Sequence, residues 1–354
     1  MHFEFSDDHV LFRDSVATML ANECTPEHLQ ALAASETGRS PELWSGLADL
    51  GLVGMVVPEA YGGLGLDEVA LVLPLEETGR AALAEPLVET AAVAGPLLAD
   101  CANEPVGARW LPEIAAGKAI ATVGHPDNAF VADAHVADLL LLAHEGELHA
   151  VDRAAVALEA QPSVDPLRRL FRVDWEARAA TRIANGDDAR RLLDTAFDRG
   201  ALATAAQQVG VARALVDKAV SYACTREQFG QPIGAFQAIK HHLADVAVRV
   251  EFARPVLYRA AFALAHGHGE RRLAVSHAKA AASEAARLAA KTALQVHGAI
   301  GYTWEVDLHL WMKRAWSLDL AWGSAAFHRA RIAERILDDT RPAPSFGFEP
   351  RTGD

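Results

Sequence analysis

Residues 226–234, with the sequence REQFGQPIG, lie between long alanine-rich stretches whose apolar residues recur at helical spacing. This segment contains Gly230 and Gly234. The helical pattern stops before the segment and resumes after it. Helices of this length and alanine content are typical of a close-packed bundle. The sequence therefore predicts a C-terminal four-helix bundle over residues 187–340. Its predicted helices are 201–224, 235–267 and 271–296, with a last one after Asp319.

Upstream of the predicted bundle, the apolar pattern changes to short runs separated by turn residues. Alternation over four to eight residues, bounded by glycine, proline and acidic residues, is typical of strands. We therefore expect a small antiparallel β domain over residues 118–186. The predicted strands are 119–123, 137–144, 148–151, 156–161, 168–175 and 179–184.

Residues 1–117 are predicted to form an N-terminal helical domain. Ser40 precedes Pro41, and Asp67 follows a glycine-rich turn; both are residues that begin helices. Helices, then a small β domain, then helices indicate an α+β fold with the strands in the middle. Residues 341–354 hold three prolines and two glycines and are predicted to be a disordered tail.

Composition excludes several classes of function. The 354 residues carry a formal net charge of −14, which argues against nucleic acid and anionic membranes as partners. Three widely spaced cysteines provide neither a disulfide framework nor a zinc site, and the first residues lack a secretory leader. Fifteen histidines include no metal-binding motif, so no metal site is predicted. We expect a cytoplasmic protein.

Three segments carry a resemblance to a known family. They are residues 44–54 with 57–65, residues 226–234, and residues 295–305. In this order and spacing the chain resembles the acyl-CoA dehydrogenase family over nearly all of residues 5–340. The resemblance implies FAD as cofactor, an acyl-CoA thioester as substrate of an α,β-dehydrogenation, and an electron-transferring flavoprotein as electron acceptor.

The resemblance also implies which residues contact the flavin nucleotide. A guanidinium group suits a diphosphate, an aromatic ring supplies apolar cover, and glycines let the backbone approach a phosphate closely. Any one of these residues has an ordinary structural explanation. Together, in the order that matches the family, they favour contact with the cofactor. The implied cofactor-binding residues are Arg226, Phe229, Gln237, Gln295, Gly298 and Gly301.

The chain departs from the family at the catalytic base. The family places a glutamate at one of two positions, and these align with Trp322 and with Gly200 or Ala201. None of these side chains can accept a proton in place of a carboxylate. Asp319, three residues before Trp322, is a weak substitute candidate whose simpler interpretation is a helix cap. The sequence therefore predicts no catalytic residue in this chain.

The middle domain departs as well, because residues 123–129 keep only Pro126 of the family's flavin-binding segment. We expect this domain to bind the isoalloxazine ring poorly or not at all. The chain thus resembles the base-lacking subunit of bacterial heterotetrameric acyl-CoA dehydrogenases, notably those acting on steroid side chains, whose partner subunit carries the base. Two alternatives stay open: a self-sufficient homotetramer with an atypical base, and a structural or regulatory subunit without flavin contact.

Overall fold

The computed structural model describes residues 4–338. Within this range the chain follows the predicted order of helices, a small β region and helices, so the predicted α+β class is confirmed. The predicted tail, residues 341–354, lies outside the described residues. Among the described residues, no helix is both long enough and apolar enough to cross a bilayer.

The N-terminal region is helical, as predicted. Ser40 Oγ accepts a hydrogen bond from Leu43 N at 3.2 Å, and Asp67 Oδ1 accepts one from Val69 N at 2.9 Å, so both caps are confirmed. Its α-helices are α1 (Asp7–Glu23), α2 (Pro26–Ala34), α3 (Pro41–Asp49), α4 (Glu68–Arg80), α5 (Gly95–Asp100) and α6 (Glu104–Ala115). A π-helical segment, Val88–Ala94, leads directly into α5.

The middle region contains two small sheets rather than the single antiparallel sheet predicted. One sheet has the strand order β1-β3-β4-β7 and the other β2-β6-β5. The antiparallel prediction is wrong for β1 and β3, which pair in parallel. The loop between them crosses over and contributes β2 to the second sheet, so the two strands are not a hairpin. The strands are β1 (Ala121–Gly124), β2 (Val131–Ala132), β3 (Leu139–His144), β4 (Glu147–Asp152), β5 (Ala157–Gln161), β6 (Leu170–Asp174) and β7 (Arg182–Asn185).

The C-terminal region corrects two helix predictions. Its first helix begins at Gly186, directly after β7, and not at residue 201. Two helices follow α9 instead of one, because the chain turns between Leu320 and Ala325. The helices are α7 (Gly186–Thr225), α8 (Gln237–Ala265), α9 (Arg271–His297), α10 (Leu308–Leu320) and α11 (Ala325–Ile336); the hairpin strands β8 (Glu227–Gln228) and β9 (Gln231–Pro232) join α7 to α8.

The helical regions share one hydrophobic core, centred on the buried α7 and α9. Glycines allow α4 and α7 to touch backbone to backbone. A Cβ atom at Gly79 would lie 2.0 Å from Gln207 O, and one at Gly210 would lie 1.8 Å from Glu76 O. This close approach joins the N-terminal helices firmly to the bundle.

Candidate active site and cofactor surface

Trp322 and Gly200, two of the residues that the sequence aligns with the family's glutamate positions, meet in the interior. The Trp322 side chain is 2 % exposed, and its indole lies directly against α7 at Gly200. A Cβ atom at Gly200 would lie 2.2 Å from Trp322 Cδ2, so any larger residue there would require the ring to move. Ala201, the other aligned position on α7, is completely buried. Both positions are therefore taken up by packing, with no carboxylate on either.

A strained turn holds the indole in this place. Trp322 has φ +53°, in the left-handed region that a bulky residue seldom adopts, and Gly323 follows with φ +89°. Trp322 O accepts a hydrogen bond from His328 Nε2 at 2.8 Å, and His328 Nδ1 lies 3.1 Å from Ser276 Oγ. Because a carbonyl only accepts, Nε2 carries the proton and Nδ1 accepts from the hydroxyl. Burial lowers the pKa of His328 to about 3, so the imidazole remains neutral.

Asp319 does not occupy the position predicted for it. It lies in the last turn of α10, and the residue that caps α11 is Ser324, whose Oγ accepts from Phe327 N at 3.2 Å. The cap prediction is therefore wrong. The helix ends at Leu320, so Trp322 lies beyond it in a left-handed conformation and the predicted common helical face does not exist.

Sequence reasoning missed the carboxyl group that does face Trp322. Glu89, in the π-helical segment, lines the same cavity as the indole and lies 4.0 Å from Arg168 Nη2. Burial raises the pKa of Glu89, and Arg168 and a hydrogen-bonding contact with Trp322 oppose the rise in part. Glu89 is the single charged residue in the run 86–99, and a charge within an apolar run was the available signal.

One side chain, His125, points inward in the segment predicted to have lost its flavin contacts. The imidazole of His125 is buried, with its centroid 5.0 Å from the Phe197 ring and 6.1 Å from the Trp322 ring. His125 Nδ1 accepts from Asp127 N at 3.1 Å, and burial lowers the pKa of His125. Pro126, Asp127 and Ala129 remain exposed, and the segment lines a cleft of about 800 Å³ between the middle region and α7.

The opposite end of the bundle is open. The Tyr222 and His297 rings stack with centroids 4.3 Å apart, which holds the C-terminal ends of α7 and α9 side by side. Arg226 follows one turn after Tyr222, and its exposed guanidinium has no ion-pair or hydrogen-bond partner among the described residues. Gly298 directly follows His297. The structure thus brings Arg226 and Gly298 to neighbouring helix ends.

The backbone at this end leaves room for a ligand. Gly298 has φ +66° and ψ −143°, a conformation open essentially to glycine, and no atom lies within 4 Å of the point where its Cβ would be. Gly301 differs: a Cβ there would lie 2.9 Å from Leu294 Cδ1, so this glycine serves local packing. Open backbone beside an unpaired guanidinium fits a diphosphate.

The remaining predicted cofactor residues lie on the same exposed surface. Phe229 is 93 % exposed at the tip of the β8–β9 hairpin, with φ +54°, and its ring meets that of Phe236 edge to face at 6.1 Å. Gln237 is the first residue of α8, and Gln295 lies in the last turn of α9; both are exposed. A phenylalanine so exposed suits an intermolecular contact. In residues 4–338 no group of three histidine, cysteine or acidic residues is placed to hold a metal.

Comparison with known proteins assigns this fold to a class of acyl-CoA oxidoreductase. A family model described as the acyl-CoA dehydrogenase N-terminal domain matches residues 6–118, and one described as the C-terminal domain matches residues 190–337. The chain is 36 % identical over 313 residues to the acyl-CoA dehydrogenase IpdE2 of Mycobacterium tuberculosis, covering 87 % of this chain and 91 % of that protein. The chain belongs to the acyl-CoA dehydrogenase family, whose members are FAD-dependent.

Two solved structures extend the likeness to assemblies. The ChsE4–ChsE5 complex of Mycobacterium tuberculosis contains a chain with a TM-score of 0.85 and 27 % identity, covering 97 % of this chain and all of that one. A variant of the Tcur3481–Tcur3483 steroid acyl-CoA dehydrogenase gives a TM-score of 0.85 at 26 % identity, covering 94 % of this chain and 99 % of that chain. Each structure is described by two different chains. The sequence predicted that this chain is a subunit of an assembly of this kind.

Proposed function

We propose that this chain is the non-catalytic subunit of a heteromeric acyl-CoA dehydrogenase and completes the flavin site of a catalytic partner subunit. The observation that carries the proposal is the packing of Trp322 against Gly200. The indole stands at one aligned position of the family's base and takes the space that a side chain at the other would need. The open helix ends around Arg226, in contrast, keep the groups suited to a nucleotide. A base normally contributes ~10²–10⁴ in rate, so its loss requires a base from elsewhere.

Each part of the chain then has a distinct task. Arg226 would donate charge-assisted hydrogen bonds to the FAD diphosphate, and Gly298 would allow its backbone to approach the phosphate. Phe229 would cover the nucleotide, while Gln237 and Gln295 would donate or accept hydrogen bonds at its polar edges. A bound FAD would supply the hydride acceptor for the oxidation of the acyl-CoA. Trp322 would occupy the volume beside Gly200 that a base at that position would need.

The relatives support a proposal for the substrate, and the family resemblance supports one for the electron acceptor. Because one similar structure is of a steroid acyl-CoA dehydrogenase, we propose a steroid-derived or similarly bulky acyl-CoA. An electron-transferring flavoprotein would take the electrons, as the family resemblance implies.

Flavin stoichiometry tests this function. The chain is to be purified alone and together with a full-length dehydrogenase from its own genomic neighbourhood, with bound FAD measured by absorbance and mass by light scattering. We expect flavin in the mixed complex, near one per two chains, and none in the chain alone. One flavin per chain with turnover in a homo-oligomer would contradict the proposal and favour the self-sufficient alternative.

A second comparison addresses the structural alternative. Arg226→Ala and Gln295→Ala in this chain should lower the FAD content of the mixed complex, because both residues are exposed at the helix ends proposed to hold the nucleotide. Arg190→Ala, an exposed arginine at the opposite end of α7, is the matched control. Complexes that assemble and retain full FAD with either variant would instead support a subunit without flavin contact.

A further inference from the structure

An exposed apolar face lies along the sides of α8 and α9, away from the nucleotide surface at their ends. On α8, Phe252 is 72 % exposed, Val248 53 % and Phe262 39 %, and Pro255 between them is also exposed. Phe252 follows Gln237, the first residue of α8, by 15 residues, which is about 22 Å along a helix. Several large apolar side chains exposed on one side of a helix are typical of a surface that binds another protein.

The exposed positions of both helices follow the spacing of a helix–helix seam. Counted from the first residue of each stripe, they recur at alternating intervals of four and three residues. The α8 stripe runs in this way from His241 to Phe262, and the α9 stripe from His277 to Lys291. Every position in the two stripes is exposed or half-buried. The pattern therefore predicts that this side of the helix pair packs against further helices.

The two stripes form one face. A five-residue turn joins α8 to α9, and the helices pack along each other, so they are antiparallel. Burial lowers the pKa of His277, and the positive charge of Arg259 lowers it further, which places the α9 stripe beside the α8 stripe. The face is about 32 Å long and about 20 Å wide, or roughly 640 Å² in projection. A standard interface buries about 800 Å² per partner, and the ridged surface of two helices exceeds its projection, so the face is large enough for a stable contact.

The charges of this face favour an identical chain as its partner. The stripes carry Asp245 and Glu284 against Arg259 and Lys291, so their formal charge is zero, whereas the whole chain carries −14. Two copies of an acidic chain repel each other least where the contacting surfaces lack that excess charge. A helix pair and its twofold-related copy form a four-helix bundle, and closed twofold contacts are the commonest among homo-oligomers.

We propose that the face formed by these two stripes binds the same face of a second copy of this chain, with Phe252 near the twofold axis. Only the place of this contact in a larger assembly rests on the proposed function. Each copy keeps its helix ends around Arg226 free for a catalytic subunit, so the complete assembly would hold two copies of each chain.

Light scattering of the chain alone tests the contact. We expect the mass of two chains for the wild type and the mass of one chain for Phe252→Glu, because two carboxylates would face each other at the axis. This change should weaken the dimer at least about thirtyfold, as expected for a central interface residue. Leu11→Glu places the same charge at a similarly exposed apolar residue on α1 and should keep the two-chain mass. A single-chain mass for the wild type at the highest soluble concentration would overturn the proposal.

The mixed complex with a catalytic subunit separates this contact from the flavin site. Phe252→Glu should halve the mass of that complex and leave its FAD content per chain unchanged, because the helix ends are untouched. Arg226→Ala should instead lower the FAD content without halving the mass. Loss of FAD in Phe252→Glu would assign the face to the catalytic subunit, and an unchanged mass would show that it carries no contact. Either result overturns the proposal.

Failure of the proposed function gives a different result. If the wild-type chain forms no flavin-containing complex with a catalytic subunit, the proposed function is wrong. The mass of the chain alone, compared between the wild type, Phe252→Glu and Leu11→Glu, still decides whether the face binds a second copy.

Discussion

Residue 200 and residue 322 must be understood as a pair, because the indole occupies the volume that a side chain at residue 200 would need. The ring lies where two helical segments meet, and its own backbone is strained. The hydrogen bond from His328 to Trp322 O compensates for part of this strain. Trp322 is thus costly in its backbone conformation and yet fully packed, which makes it a specific feature of this site.

Substitution of Gly200 measures this pairing. Gly200→Ala should lower the free energy of unfolding by about 1–3 kcal/mol, because the new methyl group overlaps the indole. In the background of Trp322→Leu the same change should cost clearly less, and urea denaturation of the four proteins gives the coupling energy. Gly269→Ala is the control, since nothing lies within 4 Å of its Cβ position. Additive effects at residues 200 and 322 would show that the contact does not matter.

At the scale of elements, α9 and α10 are joined by a buried lysine. Lys279 is completely buried and its Nζ donates to Leu318 O at 3.0 Å and to Asp319 O at 3.2 Å, so it caps the last turn of α10. A third contact reaches Ser283 Oγ at 3.4 Å. Burial lowers the pKa of Lys279 to about 7, and the charge of Asp319 opposes this in part. The helix that ends before Trp322 therefore depends on a lysine that readily loses its proton.

The lowered pKa of Lys279 predicts that the stability of the protein depends on pH. Between about pH 7 and pH 10.5 the unfolded state binds this proton and the folded state largely does not, so the contribution of Lys279 to stability rises with pH. Relative to Lys279→Met, the wild type should gain up to about 1 kcal/mol per pH unit across this window, measured by denaturation at several pH values. The exposed Lys291→Met on the same helix is the control. Parallel pH profiles for wild type and Lys279→Met would contradict the assignment.

At the scale of the whole molecule, buried ion pairs join the three regions. Arg39 of the N-terminal region pairs with Asp133 of the middle region, and Arg314 of α10 pairs with Asp165. Arg314 Nη1 also donates to Leu83 O at 2.6 Å, so one guanidinium bridges three parts of the chain. Burial of charge is costly, and such pairs are better explained as setting the relative placement of the regions than as adding stability.

Substitution of Arg314 tests whether its ion pair with Asp165 holds the regions together. Arg314→Met should destabilise the protein by about 3–5 kcal/mol, because it leaves Asp165 buried without its ion pair. Arg314→Met with Asp165→Asn should recover part of the loss, as judged by chemical denaturation. Arg329→Met breaks an exposed pair with Glu284 and should cost about 1 kcal/mol at most. If Arg314→Met lowers the free energy of unfolding no more than Arg329→Met does, the ion pair between Arg314 and Asp165 does not hold the regions together.

Local patterns predicted much of this architecture because they act over a few residues. The caps at Ser40 and Asp67, the bounds of α8 and α9 and most of the strands follow from spacing and turn chemistry. The parallel pairing of β1 with β3, the early start of α7 and the separate α10 could not be predicted in this way. They depend on which segments meet in space, and β2, only two residues long, carries too little pattern to be recognised.

The sequence by itself determined the family and the order of the regions, and it predicted the loss of the catalytic glutamate and the residues suited to a nucleotide, since each depends on residue type at a given spacing. Only the tertiary structure decided that Trp322 closes on Gly200, that Glu89 and Arg168 share a cavity, and that Lys279 caps α10. These contacts join residues between 39 positions apart, for Lys279 and Leu318, and 122 apart, for Gly200 and Trp322. Packing and burial determine them through the whole fold rather than through any local pattern. The same burial shifts the pKa values of Glu89 and Lys279, because desolvation acts on a charge only once the fold has enclosed it.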